Sequence, residues 1–226
     1  MLFRSPLDYD AAFALGAFRL RLVFSQGNAS SDHEKKIAQT QLLKAAKLNT
    51  NKADPFALLG LWYEKQADAK RAIGCYSKAL LLDSTHPVAG RGMLRMKPYK
   101  EIEHLCTAAT SDTSPVNGWA WKALAKSKAM DEGDDEKAAI CLQQALRSRD
   151  ISASSSESLS FFFTNAHGDG SVPSDECAET WAELAFCYRR LGKYSASLRA
   201  YSSADESFGE ETLPPSVLCA WAHGEL

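Results

Sequence analysis

The chain has 226 residues, of which 45% are hydrophobic and 24% are charged, and its formal net charge is −2. That balance is typical of a globular protein with a buried core, and it argues against a strongly basic nucleic-acid binder. The most apolar stretch, residues 11–24, contains Arg19 and Arg21 and is too short to span a membrane. We therefore expect neither a membrane segment nor direct contact with nucleic acid.

The first predicted helix pair covers residues 7–50. Its first helix, over residues 9–23, carries the large and small neighbours Leu15 and Gly16, and a loop rich in Gly, Asn and Ser follows it. The second helix places small, large and small residues on one face, at intervals of four and three: Ala38, Leu42 and Ala45.

The second pair, residues 53–87, has the clearest pattern. A short polar turn at residues 66–68 joins its two helices, as an antiparallel pair requires. Gly60 and Ala72 are the small residues at which these helices can approach closely, and Ala79 offers such a point to the next pair. The second helix repeats the spacing of the first pair at an offset of 34 residues. The large residues expected around these points are Phe56, Leu59, Tyr63 and Tyr76.

Two further pairs are predicted, at residues 88–113 and 116–147. The former is short, with helices over residues 88–96 and 99–109 separated by Pro98, which cannot continue a helix. The second helix of the latter repeats the small-large-small spacing 66 residues after the pair at 53–87. Its packing residues, and those of the helix before it, are Trp121, Leu124, Ala138, Leu142 and Ala145.

The C-terminal part combines an insertion with further repeats. Residues 148–175 are rich in Ser and Gly and are predicted to be a flexible surface excursion. The apolar triple Phe161–Phe163 inside it either docks on the helices, which we favour, or is an exposed partner motif. A full pair follows at residues 176–210, and a partial repeat at 213–226 indicates a slice of a longer array or half of an interface. The packing residues of the full pair are Trp181, Leu184, Tyr188, Tyr201 and Ala204.

Large, small, aromatic and small residues in this order, at a period near 34, form the pattern of tetratricopeptide repeats. The sequence therefore predicts an all-α protein, a right-handed α-solenoid of antiparallel helix pairs. We expect residues 1–226 to form a single solenoid of about five repeats.

In such a solenoid the first helices line a concave face that binds extended peptides or a partner's helix. The exposed positions of these helices give a candidate surface in the second and last full pairs. Positions 5 and 9, which hold Lys and Asn in members that clamp a peptide carboxylate, hold Ala with Leu or Phe here, so that mode is disfavoured. Alternatively, neighbouring repeats pack these positions. The candidate surface comprises Asp54, Leu61, Glu64, Lys65, Glu179, Phe186, Arg189 and Arg190.

No constellation for chemistry is evident in the sequence. No glycine-rich phosphate loop occurs, and the five histidines are far apart and not set with carboxylates at ligand spacing. The six cysteines form no C-x-x-C pair, which favours small buried side chains in a reducing compartment, the cytoplasm or the nucleus. We expect no catalytic residue, no cofactor and no metal, and therefore not an enzyme.

Beyond the general repeat pattern, three segments carry a narrower resemblance: KAAKLNT, RAIGCYSKALLLD and GWAWKALA. They are similar in kind and order to the tetratricopeptide scaffold subunit of the superkiller complex. The resemblance implies a structural role in which the scaffold organises a DExH-box RNA helicase and a β-propeller subunit. That assembly assists 3′-to-5′ messenger RNA decay by the exosome. The alternative is a stand-alone adaptor that binds short peptide motifs of chaperones or transport factors.

Overall fold

The computed structural model describes residues 6–26, 32–111, 117–131, 133–148 and 174–208. These residues form ten helices and no strand, which confirms the all-α prediction for the described part. Most of the predicted insertion, the triple Phe161–Phe163 and the partial repeat at 213–226 lie outside the described residues.

The helices follow one another with short connections wherever those connections are described. The bounds are α1 Pro6–Gln26, α2 Asp32–Leu48, α3 Asp54–Lys65, α4 Ala69–Leu82, α5 Pro87–Met96, α6 Tyr99–Ser111, α7 Gly118–Asp131, α8 Asp135–Arg147, α9 Ser174–Arg190 and α10 Tyr194–Phe208. The described residues divide into two compact units, 6–98 with α1–α5 and 99–208 with α6–α10. The division falls after Pro98, inside the predicted repeat 88–113.

Consecutive helices pack as hairpins: α1 with α2 and α3 with α4 in the first unit, α7 with α8 and α9 with α10 in the second. Three hairpin turns contain one residue in the left-handed region: Ala67 (φ 57°), Gly133 (φ 65°) and Gly192 (φ 70°). A residue in this conformation ends a helix and turns the chain back. The next residue caps the following helix in two of the turns. Asp68 accepts from the Arg71 amide at 3.1 Å, and Asp134 accepts from the Lys137 amide at 3.0 Å.

Each hairpin sets a small residue of its first helix against a large residue of its second. Gly16 lies against Leu42, and Gly60 against the ring of Tyr76. Ala125 shares a buried cluster with Leu142, and Ala185 shares one with Tyr201. The small residue lets the helix axes approach, and the large one fills the remaining space.

The Tyr76 ring is enclosed from two sides. A Cβ atom at Gly60 of α3 would overlap one edge of the ring, and a Cβ atom at Gly92 of α5 would overlap the other. Tyr76 itself is completely buried. Gly92 therefore carries the contact between this pair and the next helix, a role that the sequence did not reveal, since Gly92 looked isolated there.

One residue departs from its expected place. Leu15 occupies the position of Leu59, yet Leu15 is 40% exposed whereas Leu59 is buried. The reason is that α2 packs on α3, whereas the equivalent face of α1 is open to solvent.

Candidate protein-binding surface

Most residues predicted to pack between helices are buried. Leu59, Gly60, Ala72, Tyr76, Ala79, Ala138, Leu142, Ala145, Leu184, Tyr201 and Ala204 are in this group. The remaining six, larger on average, are partly buried: Phe56, Tyr63, Trp121, Leu124, Trp181 and Tyr188. Two of these tyrosines also join successive pairs. Gln39 of α2 donates to the Tyr63 hydroxyl at 3.3 Å, and Gln143 of α8 donates to the Tyr188 hydroxyl at 2.6 Å.

The predicted surface positions of α3 turn largely inward. Leu61 is only 1% exposed, so its prediction as a surface residue is wrong for the described structure, and close packing is the reason. Asp54 is half-buried, and its Oδ1 lies 3.2 Å from Nε2 of the buried His86. Because Nδ1 of His86 accepts from the Ala89 amide at 3.4 Å, the neutral ring donates its Nε2 proton to Asp54. This hydrogen bond is the main reason that the pKa of Asp54 is lowered.

Glu64, another predicted surface residue, holds three helices together. It accepts the hydroxyl of Tyr76 from α4, and Nε and Nη2 of Arg95 from α5 at 2.7 and 3.0 Å. Burial alone would raise the pKa of Glu64, but the hydrogen bonds from Arg95 and Tyr76 outweigh it and leave the pKa lowered. Burial and the bond to Glu64 raise the pKa of Tyr76, so the phenol stays a donor. Lys65 is the exposed member of this helix end, with Nζ 5.7 Å from the Phe24 ring centroid.

We expect Glu64→Gln to destabilise the protein by about 1–2 kcal/mol, because Arg95 would lose its only charged partner in this cluster and both side chains are largely shielded from water. The lowered pKa means that this stabilisation is complete above the ordinary Glu pKa of 4.5 and is lost as the pH falls through the folded-state pKa. Urea unfolding at pH 7 and at pH 3.5 measures both effects. The variant should lie closer to the parent at the acidic pH, whereas the exposed Glu206→Gln should match it at both.

The predicted positions of α9 remain at the surface. Phe186 is 48% exposed, and the Arg190 guanidinium lies 5.8 Å from its ring centroid. Nε of Arg190 is held 3.0 Å from the Asp135 carboxylate of α8. Glu179, three turns of helix earlier, lies 3.1 Å from Nζ of Lys122 on α7, and Arg189 is half-buried beside Arg190. We call Lys122, Glu179, Phe186 and Arg190 the Phe186 surface.

The Phe186 surface offers an aromatic ring whose position is fixed before any partner arrives. Asp135 fixes Arg190, and Arg190 covers part of the Phe186 ring. An exposed aromatic side chain with little freedom left to lose is a favourable anchor for a protein partner.

Catalytic or metal chemistry has no comparable arrangement in the described part of the chain. No group of three or more His, Cys, Asp or Glu there could hold a metal ion. Burial raises the pKa of Cys106 to about 12 and that of Cys187 to about 11, so both stay protonated thiols at neutral pH. No described helix is long and apolar enough to cross a membrane.

Comparison with solved structures supports the class of protein that the helix pairs define. Pseudomonas aeruginosa PilF superposes with a TM-score of 0.59 at 19% identity, over 90% of this chain and 78% of that one. A chain of the APC/C heterotetramer Cut9–Hcn1 superposes with a TM-score of 0.52 at 15% identity, over 85% of this chain and 33% of that one. The protein has the fold of a tetratricopeptide-repeat solenoid.

Sequence comparison narrows the class. The chain is 28% identical to mouse superkiller complex protein 3 and 27% identical to the human protein, in both cases over 212 residues. Those residues are 90% of this chain and 12% of the relatives. No protein-family model matches the chain. It is thus a tetratricopeptide-repeat protein similar to superkiller complex protein 3, and fold and similarity together support a role in protein–protein interaction.

Proposed function

We propose that the chain is a scaffold segment of a superkiller-type complex, which assists messenger RNA decay by the exosome. The observation that carries this proposal is the 28% identity to superkiller complex protein 3 over 90% of the chain. The proposed partners are the DExH-box helicase and the β-propeller subunit, and the proposed location is the cytoplasm, with the nucleus as a second possibility. The chain would contribute binding surface and no catalytic residue.

The five repeats proposed for this scaffold follow the helix pairs. The pairs α1–α2, α3–α4, α7–α8 and α9–α10 fall within the repeats 7–50, 53–87, 116–147 and 176–210. The repeat 88–113 contains α5 and α6, which belong to different compact units.

Affinity purification of the tagged chain from cells of its source tests the proposal. We expect the helicase and the β-propeller subunit to be recovered together, without RNA bridging, and therefore equally after nuclease treatment. Recovery of a chaperone through a short C-terminal peptide, with neither subunit present, would instead support the adaptor reading. A column loaded with the bare affinity tag controls for non-specific capture.

The Phe186 surface is the proposed contact for one of these partners. Its ring is half-exposed and held by Arg190, whereas the equivalent position in α3, Leu61, is buried. Of the two faces predicted from the sequence, the α9 face is therefore the one that can meet a partner without unfolding a helix contact.

We expect Phe186→Ala to weaken partner binding by about 30-fold, the loss that corresponds to about 2 kcal/mol for an aromatic anchor. Tyr194→Ala is the matched control, because Tyr194 is an aromatic residue of the same unit and is 60% exposed. Quantitative co-purification or titration with the purified partner measures the difference. Equal losses for the two variants, or no loss for Phe186→Ala, would contradict the assignment.

A further inference from the structure

The outer face of α1 is an apolar stripe that lies in solvent. Phe18 is 55% exposed and Leu15 is 40% exposed, which makes them two of the most exposed large hydrophobic side chains described. Ala11 and Ala14 are exposed on the same face, and Leu22 is half-buried at its end. The spacing of these residues, at three and four along the helix, aligns them over about 17 Å. The opposite face of α1 packs against α2.

The same face is covered in the next pair. The residues of α3 that occupy equivalent positions are all buried: Pro55, Leu58, Leu59 and Trp62. The helix that packs before α3 is α2, and the short connection between them makes the two helices antiparallel. The repeat therefore builds this face to receive an antiparallel helix, and in α1 it has the composition but not the cover.

The charges that flank the stripe are complementary to a second copy of the same helix. Exposed Asp10 lies near the N-terminal end of α1, and exposed Arg21 lies eleven residues later on the same side. An antiparallel copy of α1, related by a two-fold axis near Ala14 and Leu15, brings Asp10 of each chain opposite Arg21 of the other. Both ion pairs form at once because the contact is symmetric. The antiparallel arrangement also opposes the two helix dipoles favourably.

We propose that the α1 face is a self-association surface, on which two copies of this chain pair through antiparallel α1 helices. The alanines allow close approach, while Leu15 and Phe18 of each chain fill the space beside the other's stripe. A single helix face buries less area than a standard protein interface, so the dimer forms in a concentration-dependent manner. This inference is independent of the proposed scaffold function and of the Phe186 surface.

Sedimentation equilibrium of the 226-residue chain over a concentration series tests the proposal. We expect the average mass to rise from that of one chain towards that of two. Phe18→Glu should abolish the rise, because it would place a carboxylate in the apolar contact. Leu81→Glu should leave it unchanged, since Leu81 is 80% exposed on α4, away from the stripe. A chain that stays monomeric throughout, or a Leu81→Glu variant that loses the rise as well, would overturn the proposal.

Charge reversal distinguishes antiparallel pairing from any other contact and does not depend on the apolar variant. Asp10→Arg and Arg21→Asp should each weaken self-association by at least about tenfold, because each places like charges opposite one another twice. An equimolar mixture of the two variants should regain the association, since both contacts in the mixed dimer are then of opposite charge. Failure of the mixture to associate more strongly than either variant would rule out this geometry.

Discussion

Replacing Gly60 or Gly92 by alanine should destabilise the protein by about 2 kcal/mol in each case. In a helix interior, this change alone would stabilise by about 1 kcal/mol, because alanine has the higher helix propensity. Here the added methyl group would overlap the Tyr76 ring. The ring cannot move aside, since the two glycines enclose it from opposite sides, and overpacking of this kind costs about 1–3 kcal/mol or more. The clash therefore outweighs the propensity, and urea unfolding measures the net effect.

Gly74→Ala provides the matched control within the same pair of helices. Gly74 lies on α4, is exposed, and has open space where its Cβ would be, so this variant should gain about 0.5–1 kcal/mol. Combining Gly60→Ala with Tyr76→Leu should recover part of the loss, because Ala125 and Leu142 already form such a pair in the second unit. If Gly60→Ala were as stable as Gly74→Ala, the enclosure of Tyr76 would not limit packing.

The largest loss is expected for Leu184→Ala, at about 3 kcal/mol, within the range of 2–5 kcal/mol typical of buried leucines. Leu184 of α9 is 2% exposed and shares a buried cluster with Ala138 and Leu142 of α8. Removing its side chain leaves a cavity between two successive helix pairs, and these flanking residues cannot fill it without moving whole helices. Leu142→Ala should have a similar effect from the other side of the contact.

Ile140→Ala tests whether that loss comes from burial. Ile140 also belongs to α8 but is 51% exposed, so its truncation should cost well below 1 kcal/mol. The double variant Leu142→Ala with Leu184→Ala should lose less than the sum of the two single variants, because the residues share one cluster. Strict additivity would mean that the two helices do not pack on each other.

The sequence was sufficient to predict the fold because the hairpin contacts are local. Gly60 and Tyr76 are 16 residues apart in the sequence, and their sizes alone indicate a close approach of two helices. Contacts between pairs were harder to predict. Arg95 meets Glu64 across 31 residues, and neither charge pattern nor period indicates it. Gly92 was missed because α5 is short, which places this glycine out of step with Gly60.

The candidate surface was less predictable for a physical reason. Whether a position on a first helix faces solvent depends on how closely the neighbouring helices approach, which the sequence of that helix does not contain. Leu61 and Phe186 hold the same position in their repeats, yet one is buried and the other is half-exposed. The turn residues Gly133 and Gly192 carry a recognisable signal, since glycine readily adopts positive φ, whereas Ala67 in the same conformation does not.

The glutamine-to-tyrosine hydrogen bonds have a consequence for how such chains change over evolution. Gln39 and Tyr63 are separated by 24 residues, and Gln143 and Tyr188 by 45, although both bonds connect a second helix to the first helix of the following pair. The distance along the chain is therefore uncoupled from the step in space. Segments can lengthen or shorten at such a junction while the helices keep their neighbours, so homologous arrays are best aligned by these contacts and not by residue count.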